Sequence, residues 1–134
     1  MNFLNRIFHT SIFIFLILPT LLVGCSENQP NPKNKINTNV IALIKTAEIL
    51  KSDINTLKLD KIKLDGKSLE EAWAPFEDEV KDLYPDYYAK IEDLLDPVIA
   101  ASHAEKLDQK ILNTLNDQLI MTLNELAEKN KAAL

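Results

Sequence analysis

The side chains able to do chemistry in this chain are almost all carboxylates. Nucleophilic catalysis needs a serine or cysteine activated by a neighbouring base. The sequence has no Gly-x-Ser-x-Gly turn, one cysteine at Cys25, and histidine only at His9 and His103. Zinc and iron–sulfur sites built on several thiolates are excluded. With Met121 the only methionine after Met1, so is a thioether copper site. His103 reads as a surface residue at a helix start. What is left is 20 Asp and Glu, hard oxygen ligands suited to Fe3+, Ca2+, Mg2+ or Mn2+. The expected protein is not an enzyme, and the question becomes which acids can meet.

Glu77 and Glu92 are the pair singled out by spacing. Glu77 lies four residues after Trp73 and three before Val80, and Glu92 lies four after Tyr88 and three before Leu95, so each flanks an apolar helix seam. If the chain reverses at Pro85, Glu77 sits eight residues before the turn and Glu92 seven after it. On adjacent antiparallel helices that is nearly one height, and the two carboxylates could chelate one cation. The competing reading has Glu77 pairing with Lys81 at i, i+4 on a solvated face. Trp73, Phe76, Tyr84, Tyr87 and Tyr88 gather on the same hairpin; most of these rings read as core, with two of the three tyrosines facing inward.

These residues need helices to hold them. Only two glycines, Gly24 and Gly66, deny the chain the turns of an all-β fold. The stripe Ile36, Val40, Leu43, Ala47, Leu50, Ile54, Leu57 repeats every three or four residues and predicts a first long helix. Leu59 to Gly66 loses that period and reads as a connection. Ser68-Leu69-Glu70-Glu71 fits a capping box that would start a second helix with Leu69, Trp73, Phe76, Val80 and Leu83 inward, and Pro75 would kink it. Tyr84-Pro85 ends it. A third helix resumes at Pro85 with Tyr88, Ile91, Leu95 and Val98 on one face, bent at Pro97. Ser102-His103-Ala104-Glu105 fits a second capping box. It would open a last helix with Ile111, Leu112, Leu115, Leu119, Leu123 and Leu126 inward. The fold expected is all-α, a small up-down bundle of about four helices.

The N-terminal residues give an address. Residues 1–24 carry Arg6, then an apolar run from Ile12 to Leu18, and reach Leu22-Val23-Gly24-Cys25. This is the layout of a secretory signal, and the run is too short to span a bilayer. The last four residues resemble the bacterial lipobox. That implies cleavage before Cys25, a diacylglycerol thioether on its sulfur and further acylation such as palmitate, enough chains for durable anchoring. Residues 25–39, rich in Asn and containing Pro30 and Pro32, read as a flexible tether, leaving 40–134 as the bundle domain. In this class Ser26 after the cysteine favours the periplasmic face of the outer membrane in a two-membrane cell. The protein is thus expected to be extracytoplasmic, with the membrane as its first partner.

Charge is uneven. Residues 70–96 hold ten acids against Lys81 and Lys90, a net −8, whereas residues 33–67 hold eight lysines against four acids. With arginine confined to Arg6 and an acidic middle, nucleic acid is excluded as a partner.

The run Leu69-Glu70-Glu71-Ala72-Trp73-Ala74-Pro75-Phe76-Glu77-Asp78-Glu79-Val80-Lys81, followed by Tyr84-Pro85-Asp86-Tyr87-Tyr88-Ala89-Lys90-Ile91-Glu92-Asp93, resembles the extracytoplasmic helical region of bacterial high-affinity iron permeases. More distantly, it is similar to imelysin-like iron-uptake lipoproteins. The resemblance spans residues 69–98 and implies Glu77 and Glu92 as ligands supported by Trp73 and Tyr88. It also implies iron or another hard divalent or trivalent cation as cargo, and an iron permease as partner. The permease's membrane helices with their Arg-Glu-x-x-Glu motifs are absent, and His103-Ala104-Glu105-Lys106 departs from the imelysin His-x-x-Glu. The implied protein is a detached accessory module. The alternative is a structural envelope lipoprotein that docks on another protein, its acids serving only solubility.

Overall fold

The computed structural model describes residues 31–133. The signal segment, Cys25 and tether residues up to Pro30 lie outside the described residues. Five helices follow one another: α1 (Pro32–Asn55), α2 (Leu59–Trp73), α3 (Glu77–Leu83), α4 (Pro85–Ser102) and α5 (Gln109–Lys131). Among the described residues there is no strand, and no helix is long and apolar enough to cross a membrane.

Helix α1 starts at Pro32, well before the expected tether end at Asn39. Asn31 supplies the reason: its side chain accepts from the Lys33 N–H at 3.0 Å, and Pro32 at the first helical position loses no hydrogen bond there. Ile36, Val40, Leu43, Ala47, Leu50 and Ile54 are all fully buried. The stripe ends there, because Leu57 lies beyond the helix with its side chain in solvent.

The segment expected to connect is helical instead. Helix α2 already runs at Leu59 and includes Gly66, which is buried and not a turn. A Cβ on Gly66 would stand 1.9 Å from Ser102 Oγ and 2.9 Å from Ser102 Cβ, so the glycine is there to let α4 come close. Neither capping box forms. Ser68 Oγ donates to the Leu64 carbonyl within α2. Ser102 is the last residue of α4 and bonds the Ile99 carbonyl. The true cap of α5 is Asp108, whose carboxylate accepts from the Ile111 N–H at 3.0 Å.

Prolines shape the middle. Pro75 cannot donate to the carbonyl four residues back, and its ring would crowd that turn. Helix α2 therefore stops at Trp73 and α3 restarts at Glu77, its first turn carrying Glu77, Asp78 and Glu79 where a helix favours negative charge. Tyr84 leaves the helical region (φ −140°, ψ 58°) as the residue before Pro85. Helix α4 continues through Pro97, which stands with Asp93, the residue four positions back, on the helix's exposed side.

Helix α1 packs on α5 and α2, and α4 packs on α5, α2 and α3. The broken leg α2–α3 thus takes the place of one helix in an up-down arrangement of four legs. The core joins Leu69, Trp73, Phe76 and Val80 to Ile91, Leu95 and Val98 and to Leu112, Leu119, Leu123 and Leu126. Besides Leu57, four expected inward residues differ: Leu83 and Ile111 are exposed, and Tyr88 and Leu115 are half-buried. All three tyrosines pack partly against the core.

Candidate functional site

Trp73 anchors the corner where α2 breaks. Its ring is buried, stacks on Tyr88 with centroids 6.2 Å apart, and meets the edge of Phe76 at 5.0 Å. A buried indole N–H needs an acceptor, and Trp73 Nε1 donates to Glu92 Oε1 across the α2–α4 interface. The hydrogen bond fixes one carboxylate oxygen of Glu92 and leaves the other open. Tyr88 reaches the site only as a ring, and its outer face carries the Lys81 ammonium 5.2 Å from the centroid.

Glu77 opens α3 and Glu92 lies in the second turn of α4, and both are half-buried. The structure brings them to one cleft of about 330 Å³ together with Glu70, Asp96 and an apolar floor of Trp73, Leu95 and Ile99. Glu70 and Asp96 are additions that the spacing already offered. Glu70 precedes Trp73 by three residues and Asp96 follows Glu92 by four, which is the same helix face. Lys81 is not in an ion pair with Glu77 among the described residues; the ion pairs there are Lys35–Glu79, Lys51–Asp117, Lys58–Asp53 and Lys67–Glu71. The Lys35–Glu79 pair ties α3 to α1, and its hydrogen bond holds the Glu79 carboxyl below the usual range.

Among the described residues no group of three or more His, Cys, Asp or Glu is placed to hold an ion. A cation in the cleft would be met by two carboxylates at most, with its other positions open to water or to ligands it brings along. His103 does not begin a helix. It caps the end of α4, its N–H donating to the Ile99 and Ala100 carbonyls, with its side chain exposed.

No family model matches the chain, and no solved structure matches it. It is similar to the iron uptake system component EfeM of Bacillus subtilis (strain 168), at 27% identity over 124 residues, covering 84% of this chain. The chain spans 32% of that protein's length.

Proposed function

We propose that this chain is an iron-uptake accessory module that receives iron, or another hard cation, on the cleft between α4 and the break that separates α2 from α3. The observation that carries the proposal is the convergence of Glu77 and Glu92, from two helices, on one cleft beside a tryptophan that orients one of them. The similarity to an iron uptake component supports the same reading. The cation is cargo: two carboxylates and open positions favour a site that accepts and releases over one that locks. An uptake permease is the partner such a module would serve. Leu22-Val23-Gly24-Cys25 supports anchoring through an acylated Cys25. Mass spectrometry of membrane fractions should find a mature N-terminus at acylated Cys25, and Cys25→Ser should release the protein from the membrane.

The test of the site is calorimetric titration of the purified protein with ferric citrate, Fe2+, Mn2+, Cu2+ and Ca2+. Glu77→Gln and Glu92→Gln should each weaken binding of the preferred cation about tenfold, equivalent to about 1.4 kcal/mol. The double variant should lose little more, because two ligands of one ion act together. Glu71, paired with Lys67 outside the cleft, is the control; Glu70 is not, because it lines the cleft. The second reading, an envelope docking protein, is favoured by the lack of a third ligand among the described residues. Equal cation affinity for the wild type and the double variant would end the first reading.

A further inference from the structure

The end of the bundle where α1 turns into α2 carries a different kind of cavity. Helix α1 stops there with two crossing hydrogen bonds: the Leu57 N–H to the Ile54 carbonyl at 3.1 Å, and the Lys58 N–H to the Asp53 carbonyl at 3.0 Å. This closure requires a left-handed residue at the position of Leu57, which is why glycine usually occupies it. Here it is a leucine at φ 51°, the one positive φ among the described residues. A leucine in that conformation is strained. Burial does not offset the strain, because the residue is 56% exposed. Two residues on, Leu59 is 55% exposed. A glycine at 57 would close the helix better and keep an apolar side chain out of water, so a purely structural account leaves this leucine unexplained.

Both leucines border a cavity of about 400 Å³ between the α1–α2 turn and the α4–α5 loop, whose apolar wall is completed by Ile62 and Leu107. That volume lies within the range of small-molecule sites, roughly 300–1,000 Å³. Lys63 and Lys106 stand at its border with Glu105 as the one acid. Neither lysine is in an ion pair with any described residue. An apolar hollow beside two unpaired ammonium groups is complementary to an aliphatic tail ending in an anion.

We infer that this cavity binds an aliphatic carboxylate, a single-chain fatty acid, with its tail against Leu57, Leu59, Ile62 and Leu107 and its carboxylate between Lys63 and Lys106. Leu57 is then held at its strained angle because it forms part of the wall. The site is distinct from the acidic cleft, which has the opposite charge and is lined by the last turn of α2 at Glu70 and Trp73, by Glu77 and by α4 from Glu92 to Ala100.

Decanoate, kept below its micellar concentration, is the probe, titrated calorimetrically into the purified protein beside decylammonium and decanol. Wild type should bind decanoate saturably, one per chain, and more tightly than decylammonium. Leu57→Gly should raise the melting temperature and at the same time weaken decanoate about fivefold, the loss expected when one leucine's apolar contact is removed. Lys63→Gln with Lys106→Gln should abolish the preference for decanoate over decylammonium while leaving decanol unchanged. Partition of the chain into lipid or detergent would be blind to Leu57, so that variant separates a built site from nonspecific uptake. A higher melting temperature with unchanged affinity in Leu57→Gly would overturn the proposal, as would equal affinity for the anionic and cationic probes or no saturable binding.

Discussion

Helices α1 and α5 make one side of the bundle, and α2, α3 and α4 make the other. The first pair is long and uninterrupted, 24 and 23 residues, with proline only at the start of α1. Their seam is keyed by buried amides. Asn116 donates to the Ala47 carbonyl at 2.8 Å, and Asn130 donates to the Lys33 carbonyl while accepting from the Tyr84 hydroxyl. The other side holds Gly66, Pro75, Pro85 and Pro97, the net −8 segment and the Trp73 cluster. Regular helices bury their backbone polar groups in their own ladders and leave little to bind with. Interruptions expose helix ends and splay side chains, so the cleft forms where α2 breaks. The regular side sets the geometry that the interrupted side uses.

The largest effect expected is from truncating Trp73. Removing a buried ring of this size should cost about 3–5 kcal/mol, and it also strips Glu92 of its indole donor. Leu119→Ala, in the core on the regular side, should cost about 2–5 kcal/mol. The comparison sharpens in a joint measurement of urea unfolding and cation titration. Leu119→Ala should lower stability alone, whereas Trp73→Ala should lower stability and alter cation affinity at the folded baseline. Equal affinity in the two variants would show that the cleft does not depend on the interrupted side's packing.

Gly66→Ala comes next and has opposing contributions. In a helix interior alanine is favoured over glycine by about 1 kcal/mol. Here the new methyl would overlap Ser102 Oγ at 1.9 Å, and overpacking costs about 1–3 kcal/mol. Contact with the Ser102 Cβ at 2.9 Å involves no flexible tip that could swing away, so net destabilisation is expected. Ser102→Gly in the same chain should restore stability, and failure of that rescue would place the strain elsewhere.

Asn116→Leu probes the regular side. The Asn116 amide is fully buried and its Oδ1 has no hydrogen-bond partner, while its one donated bond goes to a helix carbonyl within α1. Replacing an incompletely satisfied buried amide with an apolar group of like volume removes a desolvation cost. The variant should gain about 1 kcal/mol in denaturant unfolding. A loss would mean that the amide, and not the apolar stripe, sets how α1 and α5 register.

The regular side was also the easier to read from sequence. Six of the seven stripe residues of α1 are buried because a 3.6-residue period is a direct image of a helix facing a core. The four-legged up-down plan followed from the same periodicity. The interrupted side misled wherever a residue served a tertiary purpose that its local sequence did not show. Gly66 looked like a turn because glycine is the usual breaker, yet its role is clearance for Ser102, a residue 36 positions away. Ser68 and Ser102 matched capping boxes by spacing, but a cap also requires the helix to begin there, and Asn31 and Asp108 were the residues that stood before a helix start. At the cleft, Glu77 and Glu92 were legible because a proline-marked reversal fixes relative height. Glu70 and Asp96 were missed because no turn or aromatic marked them, only i, i+3 and i, i+4 spacing to residues already chosen.

The smallest effect concerns protons at the joint between the two sides, where Asp53 of α1 meets Asp65 of α2. Asp53 is buried, and the hydrogen bond from Lys58 Nζ at 2.9 Å holds its carboxyl below the usual range. Asp65 is pushed up, first by burial and then by the charge of Asp53, and its Oδ2 is buried without a partner. Lys58 and Lys61 act on both carboxyls in the opposite direction to burial. An unfolded aspartate titrates at about 3.9, and the two shifts then have opposite consequences. A lowered folded value means that Asp53 stabilises the fold above about pH 4 and that this contribution is lost as the pH falls through the lower folded value. A raised folded value means that the contribution of Asp65 is complete below about pH 4 and is lost as the pH climbs through the higher folded value. Asp65→Asn should therefore gain melting temperature relative to wild type as the pH goes from 4 to 7. Asp53→Asn should be less stable than wild type at pH 7, by a margin that closes below pH 4. Thermal melts of the three proteins across that range read both slopes, and parallel curves for Asp65→Asn and wild type would show that the joint carries no proton-linked strain.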